Sequence, residues 1–289
     1  MSYDLYLKFP QPIPSSDIDR YFSSRSNYHV SDAAIYENQS TGVYFIFSWT
    51  RDGSDNKVRQ VSFNMNYFRP HVFGLEAEPE LRAFVARFSP NIEDPQLHGM
   101  GSGPYAAERF LSGWNAGNEA AYESFLKMQQ PTRKLYTLPS AELEHIWRWN
   151  VFIGQTQAKF GQSLFVPRIM MLAVNGELTT VVVWGDGIPE LIPEVQAVLV
   201  VRDELSPDAM KGKNVKDRCL VPQNTLDAVL APFTDSGYPL RVRIPRYNEA
   251  PEALRSFIKS LPPTADHITG IAFDSILDRE LVSKYLHVE

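Results

Sequence analysis

The chain contains a single cysteine, Cys219, in 289 residues. That excludes an intrachain disulfide and every multi-cysteine zinc or iron–sulfur site, and it fits a reducing compartment. Positive charge is not in excess either. The 28 Lys and Arg stand against 34 Asp and Glu, a net charge of −6, so the electrostatic footprint of a nucleic-acid binder is missing. No apolar run approaches the roughly 20 residues needed to cross a bilayer. The opening MSYDLYLKFPQP alternates polar and apolar residues and meets Pro10 early, unlike a secretory or transit segment. The expectation is a cytoplasmic bacterial protein with neither a membrane nor a nucleic-acid partner.

Catalytic signatures are missing as well. His98-Gly99-Met100-Gly101-Ser102-Gly103-Pro104 has the glycines of a phosphate cradle, but Pro104 occupies the position a dinucleotide fingerprint reserves for Gly or Ala, and no Gly-Lys-Ser/Thr follows. Ser102 has glycines directly beside it, whereas a nucleophile elbow places them two residues away on each side. Of the six histidines, no two stand four residues apart on one helix. Glu142 and His145 form one Glu-x-x-His, but a carboxylate-bridged di-iron site needs a second copy. Cys219 follows Lys211, Lys213, Lys216 and Arg218, which could lower its pKa, yet Leu220 and Val221 point to a buried, inert thiol. Neither a catalytic residue, a metal nor an organic cofactor is therefore expected.

What is present is a chain that is 44% apolar and 12% aromatic, enough to bury a substantial core. Tyr3, Leu5, Leu7 and Phe9 alternate with Asp4, Tyr6 and Lys8, a period of two that predicts a first strand over 3–9. Pro10, Pro12 and Pro14 end it, and Ser15, Ser16 or Asp17 can cap a short helix through Phe22. Strands over 28–37, 43–50 and 58–67, separated by turn-forming residues, predict an antiparallel meander. Helices are expected over 79–88, with Pro79 in the first turn, and over 105–112 and 118–129. In the second half a helix over 140–160 has little polar face and should lie between layers. Strands follow at 166–174, 178–184, 195–202 and 240–244, with Asn175-Gly176 marking a hairpin, and helices at 222–231, 250–260 and 275–286. Strand runs grouped with helices predict an α+β protein, mainly antiparallel sheets covered by helices, in two halves: 1–130 and 135–289. Phe84, Phe125, Trp149 and Leu281 are expected in the cores.

Two features carry binding chemistry. Arg241 and Arg243 share one face of a predicted strand with Arg246 beyond, a row that can bind an anion, pair with carboxylates or guard a sheet edge. Trp114-Asn115-Ala116-Gly117-Asn118-Glu119 is expected to join two helices, with Asn115 and Asn118 as caps or Trp114 as a partner anchor. Asp52 and Asp55, in a turn expected to be exposed, are the electrostatic candidates beside it.

Met1-Ser2-Tyr3-Asp4-Leu5-Tyr6, with the run from Tyr67-Phe68-Arg69-Pro70 to Phe110-Leu111-Ser112-Gly113-Trp114-Asn115, resembles uncharacterised bacterial proteins that are similar to the immunity partners of polymorphic toxins. The resemblance covers the first half and transfers no site residue. It implies a protein-binding protein, an immunity factor that occludes a toxin, and the acidic composition favours a cationic toxin domain as that partner. The alternative is an enzyme whose site is assembled from scattered polar residues, which a deep pocket of convergent, perturbed acids would mark.

Overall fold

The alternation at the N-terminus builds the strand it predicts, and more. In the computed structural model, which describes residues 1–51, 56–97, 99–128, 134–208, 217–235 and 237–286, β1 (Ser2–Pro14) runs on past the expected end at residue 9. Tyr3, Leu5, Leu7 and Phe9 all point into the core. Pro10 and Pro12 do not stop the strand because its pairing to β5 lapses between Lys8 and Ile13 and then resumes, with Pro14 as its last residue. A residue without an N–H is harmless where no ladder bond is required.

The chain divides into two compact units, Met1–Leu143 with Phe273–Glu289, and Glu144–Ala272. The first carries β1, α1 (Ser15–Ser23), β2 (Tyr28–Val30), β3 (Ala33–Asn38), β4 (Val43–Trp49), β5 (Lys57–Asn66), α2 (Val72–Phe88), β6 (Asn91–Glu93), β7 (Ser102–Gly103), α3 (Ala107–Met128) and β8 (Tyr136–Leu138). Its sheet has the order β2-β3-β4-β5-β1-β6-β7, every pairing antiparallel. The strand expected over 28–37 is a hairpin, folded at Ser31 and Asp32, where Ser31 N–H donates to Ala33 O. Phe22, Phe47 and Phe84 stack within 5.0–5.5 Å of one another beneath this sheet. Truncating any one of them to Ala would cost about 3–5 kcal/mol.

Two helices differ from expectation. α2 begins at Val72, so Pro79 lies in its interior and not in its first turn. The turn before it is held instead by Glu76, whose carboxylate accepts from Tyr36, Asn38 and Thr41. α3 is one continuous helix through 113–118, where a joint was expected. A Cβ on Gly113 would stand 2.4 Å from the Tyr3 hydroxyl and one on Gly117 2.1 Å from that of Tyr67. These glycines serve close packing and do not break the helix.

The last part of the first unit comes from the chain's end. β16 (Ile276–Asp278) pairs in parallel with β8, and α7 (Arg279–Tyr285) follows it. Leu277 and Val282 pack with Tyr122 and Leu126 of α3. This replaces the expected division, which put 135–289 in a second half. The reason is local: residues 276–278, expected as helix, are extended and complete a two-stranded sheet. Phe84 is buried as expected, while Phe125 and Leu281 are half-buried.

The second unit contains α5 (Ile153–Phe160), β9 (Met170–Val174), β10 (Glu177–Gly185), β11 (Ile192–Pro193), β12 (Ala197–Arg202), β13 (Asp217–Pro222), β14 (Val242–Arg243), α6 (Glu252–Ser260) and β15 (Ile268–Gly270). Its main sheet has the order β13-β12-β10-β9-β15, antiparallel except for β10–β12. Asn175-Gly176 forms the expected hairpin, with both residues at positive φ. The helix expected over 140–160 is two, α4 (Ser140–Val151) and α5, parted at Phe152. α5 buries only Thr156, so it is not sandwiched between layers. In α4, Trp149 is buried and donates to Pro167 O. The architecture is α+β with mostly antiparallel sheets, and among the described residues no helix is long and apolar enough to cross a membrane.

Candidate functional site

Trp114, expected as a surface anchor, has 0% exposure. It fills the space left by Gly74 of α2, stacks on Tyr67 and donates from its indole to His71 O. A side chain so enclosed cannot anchor a partner on the folded surface. Asn118 is buried too and holds the loop before α2, accepting from Phe68 N–H and donating to Arg69 O. Asp52 and Asp55 lie outside the described residues, as does His98. The rest of the glycine-rich loop spends its backbone on structure. Ser102 and Gly103 pair with β6, Gly101 O accepts Asp94 N–H, and a Cβ on Gly99 would collide with α3.

A polar cluster that the sequence did not signal lies in the first unit around Asp278, 1% exposed. Its carboxylate accepts His71 N–H at 2.8 Å, lies 2.6 Å from His71 Nδ1 and accepts Ser140 Oγ at 2.9 Å, while its own N–H donates to Tyr122. Serine, histidine and aspartate are present, but in the wrong order for nucleophilic catalysis. Ser140 Oγ hydrogen-bonds to Asp278 and Glu280, and a nucleophile needs the imidazole on its hydroxyl. The cluster fastens β16 to α2 and α4.

The second unit holds a different arrangement. After β10 the chain turns at Asp186 and Gly187, both at positive φ, and Asp186 collects the N–H groups of Asp203, Glu204 and Leu205. Residues 188–190 then run beside Phe165, with Phe165 N–H donating to Pro189 O and Leu191 N–H to Phe165 O. This segment lines two hollows. The outer one is an open groove of about 770 Å³, lined by residues 161–165, Gln157, Ile188, Pro189 and Asn248. At its edge Phe165 is 51% and Ile188 45% exposed.

The inner hollow, about 240 Å³, is walled by Ile192, Val229, Leu230, Ala231, Ile244, Pro245 and Pro251, with Glu190, Arg243, Arg246 and Tyr247 as its polar groups. Glu190 is 2% exposed and its Oε1 has no hydrogen-bond partner among the described residues. Burial pushes its carboxyl up to about 9, so it carries its proton at neutral pH. Tyr247, raised by burial and then by the charge of Glu190, donates to Gly187 O. Arg243 is 4% exposed, lies 4.0 Å over the Phe233 ring, donates to Ala231 O and pairs with the exposed Asp227. Its Nε has no partner among the described residues.

No family model, curated protein or solved structure matches the chain.

The arginine row expected on one strand face is divided by this geometry. Arg241 is exposed and pairs with Glu194, whereas Arg243 is buried, because β14 is only two residues long and both of its side chains are inside. Cys219 is buried beside Leu261 O, and burial raises its thiol pKa. His145 is exposed, and among the described residues no three His, Cys, Asp or Glu side chains are placed to share a metal. Glu190 escaped sequence reading because a lone acid between Pro189 and Leu191 matches no motif. The only cue was its place in an otherwise apolar run, Ile188 to Ile192.

Proposed function

We propose that the chain works as a binding protein, with the groove at Phe165 and Ile188 as the face that meets a partner protein. The observation behind this reading is the pair of large apolar side chains standing half-exposed at the edge of an open groove, where an incoming apolar anchor would remove them from water. Burying the exposed half of each supplies about 0.8–1.5 kcal/mol. The net charge of −6 favours approach by a cationic surface. The likeness of the first half to immunity partners of polymorphic toxins gives the reading its sharper form, a cationic toxin domain held in the cytoplasm by occlusion.

The test is affinity capture of the tagged chain from its own cells, alongside Phe165→Ser and Ile188→Ser. A stoichiometric partner of the wild type should bind each variant at least about tenfold more weakly, and added salt should slow its association. Undiminished binding by both variants removes this face. Substrate turnover by the purified chain alone removes the binding-only reading.

A further inference from the structure

The inner hollow of the second unit is independent of the groove and has the makings of a small-molecule site. Its walls are apolar, and two of its polar residues, both more than nine-tenths buried, each keep one atom without a partner among the described residues: Glu190 Oε1 and Arg243 Nε. Buried polar atoms are ordinarily paired, and those that are not call for an explanation. We propose that this cavity binds a small organic acid with an apolar body, its carboxylate accepting from Arg243 and from the acid proton of Glu190.

The chemistry selects the class. Arg243 Nε can only donate, and Glu190, neutral at pH 7, supplies an O–H donor as well. Two donors in one hollow suit an acceptor-rich group. The fixed charges favour an anion: Arg243 and, at the exposed rim, Arg246 stand against the single carboxylate of Asp227, itself solvent-exposed. An ammonium group would face two guanidiniums, and an alcohol would leave the one in excess of Asp227 without a counter-charge. The volume limits the body. A cavity of about 150 Å³ takes up benzene, so 240 Å³ accommodates a benzoate or a short branched acid, not a nucleotide.

Benzoate and isovalerate are the probes, with benzylamine and benzyl alcohol as matched controls, followed by calorimetry and ligand-observed NMR on the full chain. Both acids should bind and neither control should. Affinity for benzoate should fall about tenfold for each pH unit above the Glu190 titration. Tyr247, raised by burial, remains neutral there, and the other polar groups of the hollow are the guanidiniums of Arg243 and Arg246. In Glu190→Gln the amide still donates, so binding should persist and the alkaline fall should vanish. Arg243→Met should abolish binding. Because that variant also breaks the Asp227 and Ala231 contacts, Leu230→Trp, at a half-buried wall position, provides a second blockade in a fold that can be verified by its spectrum. The proposal is overturned if neither acid binds at millimolar concentration, if benzylamine matches benzoate, or if benzoate binds Leu230→Trp as it binds the wild type.

Discussion

At Glu190 the fold holds a proton that the unfolded chain releases. The folded group titrates at about 9, against about 4.3 for an unstructured glutamate. Between those values the folded state binds more protons than the unfolded one, so stability falls as pH rises, by about 1.4 kcal/mol per unit for this one group. Denaturant unfolding at several pH values should show that slope shallower by this amount in Glu190→Gln, and an unchanged slope would place Glu190 in water. Arg202 carries the opposite design. It is buried, pairs bidentately with Asp217 and donates to the carbonyls of Ile258, Lys259 and Leu261 at the end of α6. Removing it strands a buried carboxylate and three carbonyls, and Arg202→Met should cost about 3–5 kcal/mol. Cys219, enclosed and raised in pKa by burial, should resist a disulfide reagent in native buffer and react only on unfolding. Its burial was legible from Leu220 and Val221. Glu190 and Asp278 were not, because their burial is created by segments distant in sequence.

Elements whose pattern repeats were legible, and those decided by one close contact were not. The period of two in β1 and the turn residues between β3, β4 and β5 describe the meander directly. The need for Gly113 and Gly117 inside α3 comes from the close approach of Tyr3 and Tyr67, which no local propensity can announce. Two glycine replacements separate the effects. Gly154→Ala in α5 meets nothing within 4 Å and should stabilise by about 0.4–1 kcal/mol. Gly117→Ala gains the same propensity but forces the Tyr67 ring aside, and thermal unfolding should show a net loss of about 1–3 kcal/mol. If both variants stabilise, the packing account of α3 fails. The division of 140–160 into α4 and α5 at Phe152 was likewise hidden, since the residues on both sides suit a helix equally well.

For the whole molecule, the decisive feature is that the second unit, Glu144–Ala272, is inserted within the first. Pro131 and its polar neighbours look like a linker, which predicts a boundary near 130. Nothing local in the sequence marks that Ile276, Leu277 and Asp278 return to pair with Tyr136, Thr137 and Leu138. A chain ending at Ala272 should therefore lose the tertiary signals of Trp114 and keep those of Trp184 in β10, as read by NMR. Loss of both, or retention of both, would contradict this division. The same insertion sets a schedule on the ribosome. The nascent sheet of the first unit emerges early, yet Tyr122 and Leu126 remain without Leu277 and Val282 until the whole inserted unit has been translated. At about 5–20 residues per second that delay is on the order of ten seconds. During it Tyr122 and Leu126 lack the partners that cover them, so a ribosome that stalls before Leu277 would hold a first unit with apolar surface open to aggregation.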